Sequence, residues 1–153
     1  DNLDIYIGEK LIYLTGSGVT FSSRLIEAQF PRYEQVIPKD FQGSISINRT
    51  MLIEALERTS LVSNSIRLSI SDKGVIITAK EPDKGKSYEE IPVDFKGQEI
   101  EIGFNVRFLL DFLKVVDAEE ILFNYIHEQK PALMQINGKD DYIYVVMPLK
   151  LSN

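Results

Sequence analysis

Few side chains in this chain of 153 residues are of the kinds that perform catalysis. The single histidine, His127, stands at the end of a predicted strand beside Glu128. A catalytic histidine works with a nucleophile or a carboxylate that the fold holds in place. The chain contains no cysteine, and no serine lies in a G-x-S-x-G elbow. We therefore interpret His127 as an ordinary surface or boundary residue.

The acidic pairs and the glycine-rich turn are also poor candidates for chemistry. Glu89-Glu90 and Asp140-Asp141 are adjacent in predicted strands or turns, where neighbouring side chains point to opposite faces. Gly16-Ser17-Gly18 is not followed by Gly-Lys-Ser/Thr, and no helix is predicted to begin there, so the turn does not predict a phosphate-binding loop. We expect no catalytic residue, no metal and no cofactor.

The charge balance argues against a simple basic nucleic-acid binder, since the net charge is −6. It does not exclude DNA that is held topologically. Two predicted helical segments, residues 49–64 and 105–117, each carry two basic and two acidic side chains. The spacing of Glu54 with Arg58, and of Arg107 with Asp111, favours self-paired, solvated faces. The candidate DNA-facing cations on these segments are Arg49, Arg58, Arg107 and Lys114.

These segments belong to a pattern that occurs twice in the chain. A short alternating strand, an Asn and an amphipathic helix follow one another at Asn48 and again at Asn105, 57 positions later. At this shift Met51 falls on Phe108. An Asn before a helix is a good N-cap, and an apolar stripe follows Asn105 at i, i+3, i+4 and i+7 spacing: Leu109, Phe112, Leu113 and Val116. We interpret the pattern as a duplicated supersecondary unit; the alternative is two ordinary strand–helix units that share a pattern.

The predicted order of elements gives an α+β fold. Each copy reads as strand, helix and three strands, so the two copies predict two helices packed on eight mostly antiparallel strands within residues 42–153. The last strand is predicted over Tyr88–Phe95 in the first copy and over Tyr142–Leu149 in the second. Residues 1–25 predict three meandering strands, the tail of another such unit. Residues 26–41 predict a packed linker, anchored by Phe30, Tyr33, Val36 and Ile37. The domain prediction is therefore 1–40 for the end of one domain plus the linker, and 41–153 for a complete one. The chain begins without Met, and we expect it to be a piece of a longer protein.

The C-terminal stretch Tyr144–Leu151 is apolar almost to the last residue, where most chains end in a polar tail. A proline cannot donate a hydrogen bond in a strand ladder, so Pro148 marks the limit of the sheet. Beyond it, Leu149 and Leu151 must dock on the protein or await a partner. Exposed Met and Leu side chains are typical of surfaces that accept varied peptides.

Three stretches resemble one family, the bacterial DNA sliding clamp, which is the beta subunit of the replicative DNA polymerase III. They are Phe30–Tyr33 with Val36–Pro38, then Glu101–Asn105, and finally Tyr144–Leu151. The resemblance implies the DNA clamp fold, in which three similar domains place helices toward a central hole and sheets outside. Two subunits then close head to tail into a ring around duplex DNA, and partners dock short hydrophobic peptides into a pocket.

The resemblance also implies roles for individual residues. Leu61 and Val62 match an apolar contact with the neighbouring subunit, and we expect both to be solvent-exposed in this chain. Gln35 and Lys150 stand where relatives can carry Arg, so the polar rim of the pocket departs from the family pattern. The residues that match the peptide pocket are Pro31, Val36, Asn105, Phe108, Pro131, Leu133, Val145, Met147, Pro148 and Leu149.

From this resemblance we expect a non-catalytic, cytoplasmic processivity factor of DNA replication. Its expected partners are encircled duplex DNA, polymerase subunits, the clamp loader and repair proteins. The full-length protein is expected to form a homodimeric ring and this piece to be a monomer. The alternative is an unrelated β-rich interaction or scaffold domain that uses its apolar C-terminus in assembly, and a carboxylate hydrolase is a more distant one.

Overall fold

The computed structural model describes residues 2–30, 32–139 and 142–151. The chain forms two compact units, Asp1–Arg32 and Tyr33–Asn153. The first is an antiparallel meander of β1 (Asp4–Ile7), β2 (Leu11–Gly16) and β3 (Val19–Arg24). Ser17 and Gly18 turn the chain between β2 and β3 with positive φ angles of 50° and 79°. The three predicted strands of this segment are thus confirmed.

The second unit contains two helices and nine strands among the described residues, after a short 3-10 helix, Tyr33–Gln35. The first copy of the repeat holds β4 (Gly43–Asn48), α1 (Arg49–Ser60), β5 (Ser65–Ser71), β6 (Gly74–Glu81), β7 (Gly85–Ile91) and β8 (Asp94–Gly97). The second holds β9 (Ile100–Asn105), α2 (Val106–Leu113), β10 (Glu120–Tyr125), β11 (Ala132–Ile136) and β12 (Ile143–Val146).

The predicted count of eight strands is wrong by one. A single strand was expected over Tyr88–Phe95, but the chain divides at Pro92 into β7, which pairs with β6, and β8, which pairs with β4. Pro92 has no N–H to give to a ladder. The break therefore lets the chain leave one sheet and join the other.

Both helices begin as the sequence predicts. Asn48 Oδ1 accepts a hydrogen bond from the Met51 N–H at 3.0 Å, and Asn105 Oδ1 accepts one from the Arg107 N–H at 3.0 Å. In each helix this satisfies a first-turn donor that has no partner within the helix. The predicted stripe is buried from Leu109 to Val116, although α2 ends at Leu113 and Val116 lies beyond it, while Arg107 and Lys114 are exposed.

The duplication is present in the backbone, since β4 and α1 start 57 positions before β9 and α2. The two copies exchange their first strands. One sheet has the order β12-β11-β10-β4-β8, in which β4 of the first copy pairs with β10 of the second. The other has the order β7-β6-β5-β9, in which β9 of the second copy pairs with β5 of the first. Neither sheet is complete without a strand from the other copy.

The core of this unit lies between the helices and the inner faces of the two sheets. The rings of Phe104 and Phe123 meet edge to face with centroids 5.9 Å apart, and both residues are buried. Such a pair adds ~0.5–1.5 kcal/mol beyond the area that it buries. No helix in the described ranges is long and apolar enough to cross a membrane.

Candidate functional site

The C-terminal segment, Met147–Leu151, leaves the edge of one sheet and crosses to the other. Strand β12 pairs with β11, which places Val145 opposite Leu133. It ends at Val146 rather than at Leu149 as predicted, because Pro148 cannot donate to the ladder. Leu149 then forms an antiparallel bridge with Gly103, in which the Leu149 N–H donates to the Gly103 carbonyl oxygen at 2.8 Å. The apolar end of the chain is therefore docked on β9.

Helix α2 packs against β12, next to this segment. The buried ring of Phe112 stacks against Tyr144 at a centroid distance of 5.3 Å and against Tyr142 at 5.8 Å. Burial raises the pKa of the Tyr144 phenol, and the nearby Asp111 carboxylate and Tyr142 raise it further. Tyr144 therefore stays neutral near pH 7 and serves as a packing residue.

The structure brings most of the predicted pocket residues onto adjoining segments. Gly103, which the C-terminal segment contacts, lies two residues before the α2 cap Asn105 and five before Phe108. Phe108 is 49% exposed and Met147 is 61% exposed, so both offer apolar surface to a ligand. The members that lie on these segments are Asn105, Phe108, Leu133, Val145, Met147, Pro148 and Leu149.

Leu133 differs from the other members because it is only 3% exposed. Its neighbours Ala132 and Met134 belong to the main core cluster, whereas Leu133 does not. Since side chains alternate along a strand, Leu133 and its partner Val145 lie on the other face of the sheet from that core. Leu133 can form the floor beneath a ligand but not a wall of the site.

Three predicted pocket residues are not joined to this group by the contacts described. Val36 follows the 3-10 helix, donates its N–H to the Tyr33 carbonyl at 3.0 Å and is 57% exposed. No strand pairing or hydrogen bond within the described residues connects it to the C-terminal segment. Pro131 is half-buried immediately before β11, and Pro31 lies outside the described residues. Val36 does not anchor a packed linker, as was expected, because more than half of its surface is open.

A polar groove beside the C-terminal segment was not predicted from the sequence. This cavity of about 200 Å³ is lined by Leu149, Lys150 and Leu151 on one side and by Arg67, Glu101, Glu128 and Gln129 on the other. Arg67 donates to Glu101 at 2.9 Å, and Ser69 Oγ donates to the same carboxylate at 3.2 Å. The alternation of polar residues along β5 was the available signal, but only the fold shows that this face meets the C-terminus.

The two predicted interface residues have different surroundings. Leu61 follows the last turn of α1 and is 75% exposed. Val62 is half-buried and packs against the hydrophobic core, so the expectation that both are solvent-exposed is wrong for Val62. The nearby strand β7 packs against α1 and is an edge of its sheet. The Leu61 carbonyl accepts a hydrogen bond from Lys84 Nζ at 3.4 Å, which places Leu61 near the turn between β6 and β7.

Three of the four candidate DNA-facing cations already have partners within the chain. Arg49 Nε donates to the Leu113 carbonyl at 2.7 Å, where it satisfies a free acceptor at the end of α2. Lys114 pairs with Glu57 of α1 at 2.7 Å. The expected pair between Arg107 and Asp111 is not among the ion pairs of the described residues, which leaves Arg107 exposed without such a partner.

Arg58 carries the densest ion-pair network. Its guanidinium donates two hydrogen bonds to the Glu89 carboxylate, at 2.8 and 3.0 Å, and also lies 3.7 Å from Glu54 as predicted. The hydrogen bond from Arg58 holds the pKa of Glu89 below its usual value, and Glu89 in turn raises the pKa of Arg58. This network joins α1 to β7 and leaves Arg58 little free charge for a phosphate.

Comparison with known proteins decides which of the families and functions predicted from the sequence applies. Residues 34–150 match the family described as DNA polymerase III beta subunit, C-terminal domain. The chain belongs to this family. It is similar to the beta sliding clamp of Pseudomonas putida KT2440, with 39% identity over 97% of the chain, and to that of Pseudomonas aeruginosa PAO1, with 37% identity over 96%. The family match removes the alternative of an unrelated β-rich scaffold.

Solved structures of family members have the same fold. A Pseudomonas aeruginosa sliding clamp bound to griselimycin aligns over 97% of the chain with 37% identity and a TM-score of 0.83. A Bartonella birtlesii sliding clamp bound to griselimycin aligns over 97% with 29% identity and a TM-score of 0.86. The chain spans 41–42% of the length of these relatives. The predicted α+β clamp fold and the family prediction are thus confirmed.

Proposed function

We propose that the chain is the C-terminal part of a sliding clamp that confers processivity on DNA replication. In this proposal residues 1–40 end the middle clamp domain and residues 41–153 form the last one. The role is non-catalytic and cytoplasmic, since the clamp acts on replicating DNA as an accessory subunit of the polymerase. The complete subunit works as a homodimeric ring, and its partners are encircled DNA, polymerase subunits, the clamp loader and repair proteins.

The peptide-docking part of this proposal is carried by one observation. Met147 and Phe108 expose apolar surface on two segments that the Leu149–Gly103 bridge and the stacking of Tyr144 on Phe112 hold together. An apolar surface fixed on packed elements is suited to a short hydrophobic peptide, whose few buried anchors supply most of the binding energy. Griselimycin is bound to two relatives with the same fold, and we propose it as a ligand of this surface.

The ring interface in this proposal uses Leu61 together with the free edge of β7. An edge strand offers unpaired N–H and C=O groups to another chain. Leu61 adds an exposed apolar contact beside that edge, while Val62 supports it from below as part of the core packing. Without a partner subunit the piece is expected to be monomeric.

The DNA contact in this proposal is weak and non-specific. The helices α1 and α2 lie side by side, joined by Lys114–Glu57 and by Arg49 on the end of α2. Most of their positive charge is neutralised within the chain, so encirclement rather than affinity would hold the DNA. Arg107 is the cation with the most free charge for a phosphate.

A chemical-shift titration of the ¹⁵N-labelled chain with griselimycin tests the peptide-docking proposal. We expect the largest shifts at the amides of Phe108, Val145 and Met147, with little change on β6 or β7. Shifts centred on β7, or no saturable shift at all, would overturn the assignment of the pocket. Sedimentation of the same sample tests the expected monomer, and a stable dimer would contradict it.

A further inference from the structure

Gly103 occupies a strand position that does not itself require glycine. It lies in the middle of β9, pairs with Arg67 of β5 and is not among the residues with positive φ. A glycine in a strand interior weakens the strand and often marks a close approach of another backbone. The reason for this glycine must therefore be sought in what lies against it.

The C-terminal segment fills the space that a side chain would need. A Cβ placed on Gly103 would lie 2.7 Å from Leu151 Cδ2 and 2.8 Å from the Leu149 carbonyl oxygen. A Leu side chain could rotate away from such a contact, but the carbonyl belongs to the backbone and moves only if the segment moves. Leu149 also donates its N–H to the Gly103 carbonyl, so any side chain at Gly103 opposes that hydrogen bond.

The first copy of the repeat provides an internal comparison. Ser46 of β4 stands 57 positions before Gly103, so the same strand position carries a Cβ there. Its Oγ donates to Glu120 at 2.6 Å, and Ser46 pairs with Asp94 of β8. Strand β8 lies on the side of β4 that corresponds to the side of β9 covered by the C-terminal segment. That segment is thus the counterpart of β8, and it lies against a position that carries no side chain.

We infer that Gly103 is a positioning residue: its lack of a side chain lets the C-terminal segment lie against β9 and so fixes Met147 and Leu149 in the proposed peptide site. The effect on peptide binding rests on the proposed peptide-docking function. The contact between Gly103 and the C-terminal segment does not, because it is present in the structure. Gly103→Ala should lift the segment and leave the pairing of β9 with β5 in place.

Amide hydrogen exchange, measured by NMR on the whole chain, tests the contact without any ligand. In Gly103→Ala we expect the Leu149 amide to exchange at least ~10-fold faster, because its acceptor is lost locally, while Ile102 and Phe104 keep their protection. Ser46→Ala is the matched control, since it alters the equivalent position and should leave the Leu149 rate unchanged. An unchanged Leu149 rate in Gly103→Ala would overturn the inference.

Leu151→Ala covers the case in which Gly103→Ala unfolds the chain. This variant leaves β9 intact and removes the side chain that packs over Gly103, so faster exchange at Leu149 supports the inference and an unchanged rate overturns it. The effect on the proposed peptide site is tested by binding of griselimycin. Gly103→Ala should raise the Kd ~5–10-fold, as expected from losing part of one anchor. The Tm of Gly103→Ala should match that of Ser46→Ala. If the unaltered chain binds no griselimycin, the proposed site fails while the exchange result still decides the role of Gly103.

Discussion

Truncating Met147 gives the most direct test of the proposed peptide site. Met147 is 61% exposed and follows the last residue of β12, so its side chain contributes little to the core. Met147→Ala should therefore leave the melting temperature of the chain almost unchanged. It should weaken binding of griselimycin or of a short hydrophobic peptide, because the ligand loses the flexible apolar surface that it would cover.

The size of the loss follows from the exposed fraction of the side chain. Complete burial of a Met side chain is worth ~1.5–3 kcal/mol. A ligand that covers the exposed 61% of Met147 would gain ~0.9–1.8 kcal/mol from it. Alanine keeps the Cβ and so retains a small part of this, which leaves a loss of ~0.7–1.5 kcal/mol and a Kd higher by ~3–12-fold.

Met51→Ala is a matched control. Met51 is also a methionine, is 42% exposed and occupies in α1 the position that Phe108 occupies in α2, but it lies outside the proposed site. Isothermal calorimetry or an NMR titration of both variants should show a Kd within ~2-fold of the original for Met51→Ala. The reasoning is refuted if Met147→Ala also stays within that range, or if both variants weaken binding equally.

Three further predictions concern the other surfaces. Leu61→Lys should change the free energy of unfolding by less than ~0.5 kcal/mol. Val62→Lys should lower it by ~1–3 kcal/mol, because it replaces a residue packed on the core. Equal losses of unfolding free energy in urea melts would contradict the different burial of the two residues. Glu89→Gln should lower Tm by ~1–3 °C at pH 7. The hydrogen bond from Arg58 lowers the pKa of Glu89, so this stabilisation is present above the unfolded pKa and is lost as pH falls through the folded one. A Tm difference that does not shrink as the pH is lowered from 7 into the acid range would refute the Glu89–Arg58 ion pair as its source. Arg107→Gln should weaken low-salt binding of duplex DNA and reduce its salt slope by ~1; a larger effect from Arg49→Gln would show that Arg49 is not committed to the end of α2.

The features that the sequence predicted well depend on residues close together in the chain. The caps Asn48 and Asn105 and the stripe from Leu109 to Val116 follow from helix geometry within a few positions. The duplication could be found because both copies keep these local signals at one separation. Pro92 was also a readable signal for the break between β7 and β8, since a proline within a predicted strand argues against its continuation.

The features that were missed depend on which strands meet. Periodicity identifies the core face of β4 and β9 but not their partners, so the exchange of first strands between the copies could not be predicted. The docking of Leu149 on Gly103 and the polar groove beside Arg67 follow from that exchange. Val62 was misjudged because it lies just past α1, where helical periodicity no longer indicates which face is buried.

The two copies differ where the proposed site lies. Over most of the repeat they keep the same elements and the same cap, as two halves that complete each other's sheets would require. Among the places where the two copies differ are three in or beside the proposed site: Gly103 stands for Ser46, Phe108 stands for Met51, and the C-terminal segment takes the place of β8. All three places adjoin the start of α2. A ligand site on α2 and the C-terminal segment, as proposed above, would act on the second copy alone and so would account for these three differences together.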